Sequence, residues 1–300
     1  MGKASRNHQG SARAKIAAQR AAGQRRRRAR RLWLAGGSTV AIVAIVAGLV
    51  VARTMQNSAR PGTAVAQATG ATQAAVTRQL AAVPASTLSS VGAGTASGLQ
   101  PIQGHPALLT QDGKPEVLYI GAEWCPYCAA ERWAMTVALD RFGSFSGLRF
   151  IHSSSTDSFP GTPTLSYYGS SYTSKSLAFS PVEMYTNVAP YRVLQTPTSA
   201  QYALFSKYDG PPYVAASQKL SYPFVDIANR YVLVGAQYLP SDLAGLTWSQ
   251  IGAALKNPDS TVARDIDGAA NILTAALSKV TGVKPAGGSA VSLASATRVS

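Results

Sequence analysis

The chain has 300 residues, with 28 Lys and Arg against 13 Asp and Glu and a formal charge of +15. That length holds one or two ordinary domains, and the charge invites a nucleic-acid partner until its distribution is read. Residues 1–31 carry eleven Lys/Arg and no acid, whereas Asp112 to Ser300 carries fourteen basic residues against thirteen acidic ones, so the basicity belongs to a tail and argues against a phosphate-binding domain.

In chain order, the basic tail (1–31) includes Arg25-Arg26-Arg27-Arg28 and Arg30-Arg31. It runs into residues 32–52, about 21 uncharged residues rich in Val, Ala and Ile, long enough to cross the hydrocarbon core as a helix. The positive charge on its N-terminal side predicts that this side is cytoplasmic. The expectation is a single-pass anchor in the cell membrane with the rest of the chain outside the cytoplasm. A cleaved export signal competes, because Arg30-Arg31-Leu32-Trp33-Leu34 loosely resembles a twin-arginine signal and Ala64-Val65-Ala66 offers a cleavage site. It sends the remainder to the same side.

Residues 53–71 are Ala, Thr, Gln, Ser and Gly with few large apolar groups, a composition that predicts a flexible linker. Val76, Leu80 and Val83 then recur at helical spacing, and Pro84-Ala85-Ser86-Thr87 reads as a helix restart. This stretch is placed in the domain (72–283) as a helical extension, with a low-complexity stalk as the alternative. A short strand and turn follow at Leu108 to Lys114, then a strand at Val117–Ala122, a helix from Pro126 to Phe142, and a second strand at Leu148–His152. Residues 153–220 are Tyr-, Ser- and Pro-rich. They predict a hairpin around Tyr168-Gly169-Ser170-Ser171 and a helix capped by Thr198. Two strands joined at Ala228-Asn229-Arg230, a helix capped by Thr247 and a helix over about 260–280 complete the domain; residues 284–300 read as a disordered tail.

The chain's two cysteines stand together in Trp124-Cys125-Pro126-Tyr127-Cys128, between a strand and a helix. Sulfurs at i and i+3 on a first helical turn share one side, where a disulfide can close. The first also faces unpaired amide N–H groups, which favour a thiolate. A thiolate with a partner thiol one turn away is the minimum for thiol–disulfide exchange. As a structural staple the pair is poor, because a loop of two residues constrains the unfolded chain little.

The order strand, Cys-x-x-Cys helix, strand, insertion, strand pair, helix resembles the thioredoxin fold. Ala122-Glu123-Trp124-Cys125 is similar to the thioredoxin active-site approach, and Cys125-Pro126-Tyr127-Cys128 to the glutaredoxin motif. The longer pattern Gly121 to Trp133, with Gly169 to Ser174 and Tyr222 to Ile227, resembles an uncharacterised thioredoxin-like family known as domain of unknown function 929. The resemblance implies an α/β thioredoxin-like domain with an insertion (about 153–220) between the second strand and a cis-proline strand. It implies that Pro223 is that proline, with Pro163 as competitor, and that the Tyr222 backbone pairs with substrate. Thioredoxin's buried acid six residues before the first cysteine is replaced here by Tyr119, so its proton relay is not implied. Glu123 is expected to be solvent-exposed.

The expected function is a membrane-anchored, extracytoplasmic thiol–disulfide oxidoreductase without cofactor or metal. Cys125 is its accessible nucleophile, Cys128 resolves, and Trp124, Pro126, Tyr127, Tyr222 and Pro223 support. Its partners are exported protein thiols or disulfides and a membrane redox partner, not nucleic acid. One alternative is copper binding by Cys125, Cys128 and one of His8, His105 or His152. Another is a non-enzymatic membrane adaptor whose surface is Tyr167, Tyr168, Tyr172, Tyr185 and Tyr191; those tyrosines equally suit half-buried strands.

Overall fold

The computed structural model describes residues 68–285 and residue 291. The expected basic tail, membrane span (32–52), linker and C-terminal tail lie wholly or largely outside them. Among the described residues no helix is long and apolar enough to cross a membrane.

The fold is mixed α/β around one central sheet. Its middle strand, β3 (Lys114–Gly121), pairs in parallel with β8 (Ala178–Glu183) on one side and antiparallel with β9 (Phe224–Ile227) on the other. β10 (Tyr231–Val234) extends the sheet from β9, and the two-residue β1 (Gln100–Pro101) closes that edge. The equally short β2 (Thr110–Gln111) hairpins onto the start of β3. Along β3, Val117 and Tyr119 enter one core while Leu118 and Ile120 enter another. Alternate residues point to opposite faces, so a strand covered on both faces reads as one unbroken apolar run.

On the first face lie helices α3 (Pro126–Asp140) and α6 (Thr261–Thr281), with the short α5 (Trp248–Ala254) beside them. On the second lies α4 (Ser199–Tyr208), which contributes Phe205 and Tyr208. The caps expected at Thr198 and Thr247 start α4 and α5. Thr198 and Thr247 form capping boxes with Gln201 and Gln250, and Ser260 caps α6. The turn at Ala228 and Asn229 has φ of 55° at both residues and joins β9 to β10. The helical extension is part of the fold: α1 (Gly70–Ala81) buries Val76 and Leu80, and Asn271 of α6 donates to the carbonyls of Leu88 and Gly92 at the end of α2 (Ala85–Val91).

Three expectations change. The strand expected at Leu148–His152 exists as β5 (Arg149–His152), but it does not join the central sheet; it pairs with β6 (Pro163–Ser166). β4 (Gly143–Ser146) likewise pairs with β7 (Ser171–Ser174). These ladders are two halves of one long hairpin whose tip is residues 153–162, not a hairpin around Tyr168. The excursion therefore lies between α3 and the parallel strand β8, rather than between that strand and the Pro223 strand. Pro181 hides β8 in the sequence, because a proline inside a run argues against a central strand. Here it is tolerated because β8 is an edge, paired only to β3 among the described strands. The tyrosines of this region divide. Tyr167 is buried against Phe145 and Phe179, while Tyr168 and Tyr191 stay more than a third exposed.

Candidate functional site

Both cysteines stand where β3 ends and α3 begins. Cys125 is the N-cap of α3: its backbone is extended (φ −75°, ψ 122°), and its sulfur accepts the N–H of Cys128 at 3.2 Å. Pro126 takes the first helical position, where no N–H is needed. The Cys125 thiol also donates to the carbonyl of Tyr222, at 3.7 Å. The Tyr222–Pro223 peptide is cis and leads into β9, whereas Pro163 opens β6 and its carbonyl accepts the Trp133 indole N–H at 2.9 Å. Trp124 packs against the rings of Tyr191 and Tyr222, with centroids 5.6 and 6.2 Å away. Tyr127 turns aside to meet Phe159 of the hairpin tip at 5.7 Å. The structure thus gathers Cys125, Cys128, Trp124 and Tyr222, seats Pro126 and Pro223 beside them, and leaves Tyr127 on the rim.

Two expectations for this site fail. Cys125 was expected to be accessible, yet only 3% of it is exposed, and Cys128 is fully buried. The physical reason is an aromatic cover: Trp124, Tyr185 and Tyr222 pack against the two cysteines and Ala122. Tyr191 lies on Trp124, and its hydroxyl meets those of Ser154 (2.8 Å) and Thr156 (3.3 Å). Glu123 departs likewise. It is buried, bound to Arg149 and to the Ser166 hydroxyl, each at 2.6 Å.

The two thiols are held unequally. Burial pushes Cys125 up, but the side-chain and backbone hydrogen bonds from Cys128, the charge of Arg132 and the Tyr127 amide outweigh it, so it lies below the ordinary thiol value. Cys128 is pushed well above that value by burial and then by the hydrogen bond and charge of Cys125; Arg132 opposes this only in part. A reactive sulfur in front and a protonated one behind is the asymmetry that exchange needs.

The description "Domain of unknown function (DUF929)" fits residues 100–279 of this chain. The chain belongs to that family. No curated protein and no solved structure matches. In this member of DUF929 the helices α1 and α2 precede the matched residues and fold onto them.

Arg132 and Glu183, to which the sequence assigns no role, are buried next to the cysteine turn. Arg132 and Glu183 form a fully buried ion pair, Nε to one carboxylate oxygen at 2.8 Å and Nη2 to the other at 2.7 Å. Arg132 stands four residues after Cys128, hence on the same helical face; that spacing was the available signal. Glu183 offered none, being at the end of a strand disguised by Pro181. Tyr119 of β3 is fully buried with no partner for its hydroxyl. Of the histidines in the copper reading, His152 packs its ring on Trp248, 4.4 Å between centroids, and His8 lies outside the described residues. Among the described residues no three His, Cys, Asp or Glu side chains form a group able to hold a metal.

Proposed function

We propose that this DUF929 protein is a thiol–disulfide oxidoreductase of thioredoxin-like fold, anchored in the cell membrane and acting outside the cytoplasm on exported proteins through Cys125 and Cys128. The observation that carries this is the N-cap geometry, in which the Cys125 sulfur accepts the Cys128 amide at 3.2 Å and its thiol sits below its ordinary range while that of Cys128 sits above. Support for the thioredoxin-like arrangement comes from the strand order β8-β3-β9-β10, with β8 and β3 parallel and helices on both faces. The Tyr222 carbonyl beside Cys125 is where a substrate backbone would add as a strand. Support for the anchor is the uncharged run 32–52 behind its basic tail.

In the reducing direction, the Cys125 thiolate attacks a substrate disulfide sulfur and forms a mixed disulfide, and the displaced substrate sulfur leaves with the electron pair. Cys128, once deprotonated, attacks Cys125, closes the Cys125–Cys128 bond and releases the second substrate thiolate. The substrate gains two electrons and the cysteine pair loses two. Substrate must first part the aromatic cover, since Cys125 has so little exposed surface. Cys125→Ser should abolish reduction of insulin by dithiothreitol-recharged protein. Cys128→Ala should accumulate mixed disulfides with exported thiol proteins, recovered by mass spectrometry. Full insulin reductase activity in Cys125→Ser refutes the proposal.

A further inference from the structure

A buried ion pair is weak evidence of stability, because desolvation offsets most of its Coulombic gain. The Arg132–Glu183 pair, with both side chains at 0% exposure, calls for another account. Its guanidinium is tied to the active-site turn: Arg132 Nη2 donates to the Ala122 carbonyl at 2.8 Å, the same oxygen that accepts the Cys125 N–H at 3.1 Å. Ala122 packs with both cysteines. Arg132 Nη1 and the Tyr119 hydroxyl are buried without a partner, although buried polar atoms almost always find one. The guanidinium lies 5.9 Å from the Tyr119 ring centroid. The titratable groups around the sulfurs are thus Arg132 from α3, Tyr119 from β3, Tyr185 after β8 and Tyr222 before β9, with Glu183 of β8 bound to the guanidinium. The charge of Arg132 favours the thiolate at both cysteines, whereas Glu183 is not among the main influences on either. Of the two partners it is the cation that is bonded to the cysteine turn, through the Ala122 carbonyl.

We infer that Arg132 is a positioning residue for the exchange chemistry proposed above: held by Glu183 under the two sulfurs, it stabilises the reduced state and poises the Cys125–Cys128 disulfide to accept electrons from substrate dithiols. The inference rests on that proposed chemistry and gives it a direction. A substrate thiolate attacks Cys125, the Cys125–Cys128 bond breaks, and its electron pair leaves on Cys128, over Arg132. A second substrate thiolate attacks the substrate sulfur of the mixed disulfide and expels Cys125 as a thiolate, capped by the Cys128 amide. The substrate loses two electrons and two protons. The cysteine pair takes the electrons, Cys128 takes a proton, and the other goes to Cys125 or solvent. An external disulfide restores the site. Stabilising the reduced form is what makes such a pair an oxidant.

The test is the equilibrium of the full-length chain in detergent with glutathione and glutathione disulfide, thiols being counted by alkylation. Glu183→Gln keeps an acceptor for the Tyr167 N–H, 3.3 Å away, but removes the charge that neutralises Arg132. It should make the disulfide about tenfold easier to reduce, a rise of roughly 30 mV for this two-electron couple. R132M/E183Q removes the pair without stranding a charge. It should shift the equilibrium in the opposite sense by a similar factor and move the pH profile of Cys125 alkylation upward. A purely structural pair would move both variants the same way or neither, and either result overturns the inference. If the double variant does not fold, Glu183→Gln decides alone: no shift, or a shift toward harder reduction, overturns it. A wild-type chain that never equilibrates with glutathione overturns the parent reading as well, whereas one that equilibrates while its variants fail to diverge sinks this inference only.

Discussion

A side chain with no room to yield sits next to the one residue that has no side chain. Tyr119 and Gly121 lie on the same face of β3, two residues apart. A Cβ on Gly121 would stand 2.2 Å from the Tyr119 phenol oxygen. Because Tyr119 is fully buried, the ring cannot swing away, and Gly121→Ala should destabilise the domain by about 1–3 kcal/mol, the usual cost of overpacking. Tyr119→Phe removes a hydroxyl that has no partner. It should be neutral or stabilising, since an unsatisfied buried donor costs about 1–3 kcal/mol. The double variant should recover only part of the Gly121→Ala loss, because Phe keeps the ring carbons that would stand 2.6 and 3.0 Å from the new Cβ. Urea denaturation of the three variants checks this; additive losses would mean that the two do not meet in solution. At this scale the cysteines were legible in the sequence, since spacing and Pro126 place them on a first helical turn. Arg132 was half legible, at one turn beyond Cys128. The burial of Cys125 was not, because its cover comes from residues about sixty and a hundred positions away (Tyr185 and Tyr222) that no local pattern connects to it.

Among the elements, the segment after β8 covers the cysteines. Residues 184–194 fold back on themselves: Tyr185 bridges Val193, Thr186 N–H donates to the Arg192 carbonyl at 2.9 Å and Leu194 N–H to that of Met184 at 2.9 Å. This strap carries Tyr185 to the cysteines and Tyr191 to Trp124. It has little apolar anchorage of its own, with Val188 and Val193 each more than 60% exposed. Segments with few buried contacts open at low cost. Tyr191→Ala removes the ring on Trp124 and the hydroxyl on Ser154 together, and should raise the rate of Cys125 alkylation several-fold without moving its pH midpoint. Iodoacetamide kinetics across pH on the reduced chain measure both quantities. An unchanged rate would place the barrier at Trp124 and Tyr222 instead. Helices α4 and α5 and the β9–β10 hairpin were readable because each is announced locally, by Thr198, Thr247 and the Ala228-Asn229 turn. β8 was not, since what makes it is pairing with β3 across a long sequence separation, nor was the strap, whose fold-back is backbone pairing that no side-chain pattern announces.

For the molecule as a whole, the uneven charge that a first reading finds in the tail has a counterpart inside. Glu131 and Asp267 are pushed up by burial to about 8, Asp140 and Asp226 to about 7, and Asp209 to about 6. Asp267 has no hydrogen-bond partner at either oxygen, and Glu131 has only the Gln237 N–H, at 3.0 Å. Glu131 and Arg132 are neighbours on α3, yet one faces the Gln237 backbone without a cation while the other holds Glu183 under the sulfurs. In the unfolded chain these carboxyls titrate near 4, so between about pH 4 and 8 the folded protein holds protons that the unfolded chain has lost. Their stabilisation is therefore complete below the unfolded value and disappears as pH rises through the folded one. The slope is up to about 1.4 kcal/mol per pH unit for each group in its window. Urea midpoints should fall from pH 5 to pH 8, and E131Q/D267N, which cannot ionise at either position, should flatten that fall. A wild-type midpoint that is constant or rises over this range would mean that these acids are ionised in the fold, and with that the closing helix α6 would have to sit more openly against α3 than it does here.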